Sequence, residues 1–206
     1  YFAFNGIFTS MSGIFPLTLV FAGFMENNSR NRQSPLKNSV AFGIPRSSIY
    51  LGKFLVQLLI CTLVYLILPA VLVCLSWLFL EHSNEGEWYY LAHALIGGYP
   101  LCVFMLSIGF CFIFNIGNSI SGILPILFIV YILPYLFRFL GLKYPFFSEA
   151  AKWCPASMLG LSFDNAGIHF YWDTPIRMLR CYLSGLGGAL IFLCAGIFWL
   201  KKREIR

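Results

Sequence analysis

Long apolar runs separated by short polar stretches organise this chain. A helix that crosses a bilayer needs about 20 mostly apolar residues. Five runs reach or approach that length: residues 1–25, 54–80, 91–114, 120–137 and 181–200. None carries Asp, Glu, Lys or Arg in its interior. None alternates with the two-residue period of a barrel strand, so the runs predict helices. Pro69, Pro100, Pro125 and Pro134 fall within them, which membrane helices tolerate at the cost of a kink.

Two connections are long enough to have structure of their own. In residues 26–53, Ser34-Pro35 opens a short helical pattern, with Ser34 as N-cap and Pro35 at the first position. Leu36 and Val40 give it an apolar side, and Lys37 and Asn38 a polar one. Gly43-Ile44-Pro45 breaks the pattern, and Arg46-Ser47-Ser48 restarts a helix that leads into the second run. The prediction is a helix lying along the membrane, an elbow, then a span. In residues 141–180, Pro145-Phe146-Phe147, Trp153-Cys154-Pro155 and Met158-Leu159-Gly160-Leu161 are too apolar for a solvated loop. Two short helices lying on or dipping into the membrane are expected there.

Composition agrees with the pattern. Of 206 residues, 59% are hydrophobic and 11% charged, and the mean hydropathy is +0.79. A disordered chain is excluded, because disorder needs low hydrophobicity and high charge. A soluble domain of this composition would have to expose large apolar patches. An integral membrane protein remains. The net charge of +6 would suggest nucleic acid on a soluble protein; here the placement of the charges matters more, and no nucleic-acid partner is expected. Arg30, Arg32, Lys37, Arg46 and Lys53 crowd residues 26–53, and Lys201, Lys202, Arg203 and Arg206 the tail, whereas Glu81 to Tyr90 holds no basic residue. Basic loops stay in the cytoplasm, which puts residues 26–53 and the tail inside. Residues 81–90 and 141–180 then lie outside. Lys143, Lys152, Arg177 and Arg180 run against this rule, tempered by Glu149, Asp164 and Asp173. The alternation starts the chain outside, so a further span before Tyr1 is expected, giving six. The fold class is an all-α, polytopic bundle forming a single transmembrane domain over residues 1–206.

Chemistry-bearing motifs are few. Gly52-Lys53 is followed by Phe54, with no phosphate-binding loop around it. There is no H-E-x-x-H, no G-x-S-x-G, and His82, His93 and His169 are scattered. Neither a catalytic constellation nor a metal site is expected, and the cysteines read as small apolar packing residues. Asn5, Thr9, Ser12 and Pro16 share one face of the first run, beside Gly6, Ser10 and Gly13. That face suits either close helix packing or the wall of a translocation cleft. Asn115, Asn118 and Ser119 read as turn residues between the third and fourth runs. Ser184, Gly185, Gly188 and Ala189 form a small-residue row for close packing in the last.

Glu26, followed by the stretch from Lys37 through Phe42-Gly43-Ile44-Pro45-Arg46 to Lys53-Phe54, resembles the cytoplasmic signature of ABC-2 type permeases, the membrane subunits of bacterial ATP-binding-cassette exporters. The family pattern is a Glu after the second span, a Lys-Asn stretch, a Gly-x-x-Arg turn and a Lys leading into the third span. The ending Trp199-Leu200-Lys201-Lys202-Arg203 is similar too, as is the long outer loop before the last span, which matches re-entrant outer helices. The Asn27 to Arg32 stretch departs from the pattern. Among such permeases, the chain resembles the small ones that give lantibiotic or bacitracin-type peptide immunity.

The resemblance implies a non-enzymatic permease in a bacterial plasma membrane. It implies a second permease chain, identical or homologous, two ABC ATPase subunits holding ATP and Mg, and no cofactor on this chain. It implies that Glu26, Leu36, Lys37, Asn38, Phe42, Gly43, Pro45, Arg46 and Lys53 contact the ATPase. An Arg at a helix start opposes the helix dipole, so Arg46 itself suits a partner's carboxylate. Anionic lipid would equally satisfy Arg30, Arg32 and Lys37; a protein socket better explains the elbow. The alternative is a secondary transporter or channel subunit without an ATPase, which needs intramembrane charge or a broken-helix ion site; Asn5 and His93 hint at one.

Overall fold

The structure is a computed structural model, and it describes residues 43–79, 87–116, 119–154, 158, 162–164, 167–169 and 174–202. Helix α1 spans Arg46–Phe79. Helix α2 spans Glu87–Ile116. Helix α3, Ser119–Leu127, passes through a π-helical turn, Phe128–Ile132, into α4, Leu133–Gly141. A short α5 covers Pro145–Lys152, and α6 covers Pro175–Lys202. Four of these stretches are long and apolar enough to cross a membrane: Arg46–Phe79, Ala92–Ile116, Gly122–Gly141 and Pro175–Lys202. They coincide with four of the five runs read from the sequence. The run over residues 1–25 lies outside the described residues.

The bundle is centred on α2. In its apolar stretch 67% of residues are buried, against 17% in α1, 18% in Gly122–Gly141 and 22% in α6. The outward faces of those three carry exposed Leu59, Leu66, Leu124, Leu190 and Ile191, side chains suited to lipid. Contacts along the helices fix their relative directions. Tyr50 packs on Phe110 and Phe114, and Tyr65 on Tyr99, so α1 is antiparallel to α2. Ile96 meets Tyr182, Pro100 meets Gly185 and Phe104 meets Gly188, so α2 and α6 run parallel. These are the directions that α1, α2 and α6 take when successive spans alternate.

Local chemistry explains two irregularities. The fourth run was expected at 120–137, somewhat short for a span; the helical path continues to Gly141 through the π turn. The Leu133 amide bonds to the Phe128 carbonyl, five residues back. Pro134 has no amide hydrogen, and its ring would press on the carbonyl four residues earlier in a regular helix; a widened turn relieves that clash. The other concerns the outer loop. Pro145-Phe146-Phe147 begin α5, with Pro145 at its start, and Gly141 lets the two helices turn closely, since a Cβ there would lie 2.9 Å from the Ser148 amide nitrogen. The second expected helix lies outside the described residues apart from Met158, which is helical. Among the described residues, the departure from all-α structure is a small antiparallel strand pair, β1 Ser162–Asp164 with β2 Gly167–His169. The sequence reading had placed no strand there.

Candidate functional site

The face that α1 turns to the bundle carries Tyr50, Phe54, Gln57, Cys61 and Tyr65, spaced by four, three, four and four residues. That spacing puts them on one stripe of a helix. All five are buried, while Leu55, Val56, Leu59 and Leu63 between them are exposed. The stripe meets α2 in two different ways.

At the elbow end the contact is aromatic. Tyr50 is fully buried, its ring edge-on to Phe110 at 4.9 Å and to Phe114 at 5.3 Å. Phe54 joins at 5.6 Å from Phe110. The Tyr50 hydroxyl sits against Gly196 of α6, where a Cβ would fall 2.1 Å from it. Asn115 clamps the same place: its Nδ2 donates to the Cys111 carbonyl at 2.8 Å and to the Gly196 carbonyl at 3.3 Å. Asn115 was expected to be a turn residue; it is a buried cross-link between α2 and α6. Its helix extends past residue 114, which turns the side chain inward. The Tyr50 hydroxyl and Gln57 Nε2 are buried and have no hydrogen-bond partner among the described residues.

Toward the middle of α1 the contact is through hydroxyls. Thr62 Oγ1 donates to the Leu58 carbonyl at 2.7 Å and shares a hydrogen bond of 3.0 Å with the Tyr99 hydroxyl. The Tyr65 hydroxyl donates to the Leu95 carbonyl at 2.8 Å. Beside them Leu58, Cys61, Cys102, Val103 and Leu106 border a cavity of about 10 Å³, at the lower limit of room for one water.

α1 begins at Arg46, after Gly43-Ile44-Pro45, where the sequence suggested a helix start; the helix expected before that break lies outside the described residues. Gly43 has φ +82°, a conformation natural to glycine and strained for other residues. The Pro45 carbonyl accepts from the Ser48 and Ile49 amides, opening α1 at Arg46. Lys53, about two turns into α1, lies with its ammonium 4.8 Å from the Phe114 ring centre, so it ties the start of α1 to the end of α2. Of the residues the resemblance assigns to an ATPase contact, the structure places Gly43, Pro45, Arg46 and Lys53 at this one end. Glu26, Leu36, Lys37, Asn38 and Phe42 lie outside the described residues, as do Asn5, Thr9, Ser12 and Pro16.

Tyr50, Gln57, Thr62, Tyr65 and Tyr99 were not singled out from the sequence. The signal was present as a polar stripe at helical spacing, masked by abundant aromatic residues on every face. Chemically the stripe offers hydroxyls, an amide and thiols in an apolar seam. Among the described residues no three His, Cys, Asp or Glu side chains converge to hold a metal. Comparisons with protein-family models, curated proteins and solved structures find no match to this chain.

Proposed function

We propose that this chain is a permease subunit of an ATP-driven, ABC-2 type exporter in a bacterial plasma membrane. With a second permease chain, identical or homologous, it forms a cleft that passes a peptide, antibiotic or lipid-like substrate. Separate ATPase subunits bind and hydrolyse ATP with Mg, and residues 26–53 dock on them. The observation that carries this reading is α1 itself. It is a single 34-residue helix, about 51 Å long at 1.5 Å per residue, and it starts at a Gly-Pro elbow on the side where the basic tail emerges. It outreaches a hydrocarbon core of about 30 Å. Side chains join it to α2, whereas α2 and α6 approach nearly backbone to backbone. A push on the elbow would tilt α1 against a stiffer α2–α6 pair.

The test is copurification of the ATPase, alongside substrate efflux, with Phe42→Ala and Arg46→Glu. Losing Phe42 from a desolvated socket should weaken binding by about 2 kcal/mol. Arg46→Glu should uncouple hydrolysis from transport while the chain stays in the membrane. Normal ATPase retention and normal efflux in both variants would sink the reading and favour a loop that binds lipid.

A further inference from the structure

The far end of the bundle, opposite the elbow, gathers arginines that form no ion pair among the described residues. Arg138 lies in the last turn of α4 and is exposed. Arg177 and Arg180 lie in the first two turns of α6. Positive charge there opposes the helix dipole. None of the three makes an ion pair with another described residue. Glu149 of α5 is engaged by Lys152; that bond, with a smaller contribution from the Arg180 charge, holds its carboxyl below the usual range.

Arg138 and Arg180 both lie near the end of α5. The Arg180 guanidinium lies 5.8 Å from the Trp153 ring centre. Arg138 is near enough to the neighbouring Cys154 to favour its thiolate, although burial keeps that thiol above its ordinary value. The surroundings are apolar and open: Tyr135 is 70% exposed, Phe139 74% and Phe146 76%. Arg138 also closes a stretch fit to cross a membrane, the depth at which arginine heads and aromatic rings sit among lipid headgroups.

We propose that Arg138, near Cys154, and Arg180, beside Trp153, bind the phosphate of an anionic lipid headgroup in the leaflet at this end of the bundle. The anion would offset two guanidinium groups that form no ion pair with another described residue, and the positive end of α6. The acyl chains would cover Phe139 and Phe146. A free phosphate satisfies the charges and leaves those rings exposed, so the lipid is the occupant. Binding here also accounts for basic residues in a loop that the charge rule places outside: lipid phosphate, not the cytoplasm, retains them.

The experiment uses the full chain in detergent micelles, with native mass spectrometry of lipid adducts. The probes are phosphatidylglycerol, phosphatidylcholine and inorganic phosphate. The wild type should retain phosphatidylglycerol over phosphatidylcholine. Each of Arg138→Gln and Arg180→Gln should lower that preference by about fivefold, the attraction of one basic residue near a lipid surface. The paired control, Lys201→Gln with Lys202→Gln at the opposite end, removes equal charge and should leave the preference in place. Equal loss in that control would reduce the effect to net charge and overturn the proposal. Unchanged retention in the double variant R138Q/R180Q would overturn it as well. Displacement of phosphatidylglycerol by millimolar inorganic phosphate would make the ligand a free anion and remove the lipid from the proposal.

Discussion

Along α6, Gly185 and Gly188 leave room for Pro100 and Phe104 of α2. A Cβ on Gly185 would lie 2.6 Å from the Pro100 backbone, and one on Gly188 2.5 Å from the Phe104 ring. Along α1, the same α2 is met by Tyr50, Phe54 and Tyr65, long side chains that reach across and leave a small cavity. Lipid tails are as apolar as leucine, so membrane helices associate through close packing and a few hydrogen bonds. The α2–α6 seam maximises packing. The α1–α2 seam relies on ring edges and hydroxyls, which can exchange partners with modest rotations. One seam suits a fixed frame and the other an element that moves.

The comparison can be broken most sharply at Gly185. Gly185→Ala forces a methyl into backbone that has no rotamer to yield, so its cost should reach about 3 kcal/mol, the upper part of the overpacking range. Steric-trap unfolding in bicelles measures it, and a loss below that of any α1 variant would erase the distinction between seams.

Next comes Gly196, where both seams meet. Gly196→Ala should destabilise by about 1–3 kcal/mol, because the new methyl strikes the Tyr50 hydroxyl oxygen. Adding Tyr50→Phe removes that atom and should recover part of the loss. A double-mutant cycle reads the coupling; strict additivity would mean that Tyr50 does not press on Gly196.

The same tyrosine substitution should act in opposite directions along α1. Tyr65→Phe deletes the bond to the Leu95 carbonyl and should cost about 1 kcal/mol. Tyr50→Phe deletes a buried hydroxyl with no partner among the described residues and should be neutral or stabilising, by up to about 1 kcal/mol. Thermal unfolding of the two variants side by side decides it, and equal losses would contradict the contrast.

The smallest effect lies outside both seams. The Lys152 hydrogen bond lowers the Glu149 carboxyl, so this pair contributes stability that is full above the ordinary carboxylate range. It fades as pH falls through the lowered value. The pair is exposed and screened, so Glu149→Gln should change only the acid limb of a melting-temperature profile, and only slightly. A change on the neutral side would assign the residue another role.

Much of this architecture could be read before any coordinates. Apolar runs marked the spans, because no lone backbone group survives unbonded in lipid. Gly43 and Pro45 marked the elbow, because few other residues accept those conformations. The row Gly185, Gly188 and Ala189 marked a packing face. The candidate site was less legible. Tyr50 and Tyr65 differ from Phe by one oxygen in a chain with 22 Phe and 11 Tyr, and nothing in their spacing said that α2 and not lipid lay opposite. Asn115 looked like turn chemistry because the apolar run ends at Phe114; helix hydrogen bonding carried it one residue further inward.

Read alone, the chain specifies helices long and apolar enough to cross a membrane, roughly where four of them lie, that successive ones alternate, and where α1 can begin. These follow from local rules: hydropathy, helix length and the backbone limits of glycine and proline. It took the packed bundle to show that α2 is the hub, that α6 packs beside it in parallel, that Pro134 widens its helix into a π turn, and that Arg180 lies by Trp153. The reason is that a bilayer and a protein interior are equally apolar. Hydropathy therefore cannot tell a lipid-facing leucine from a buried one, and shape, glycine clearance and single hydrogen bonds choose the neighbours instead.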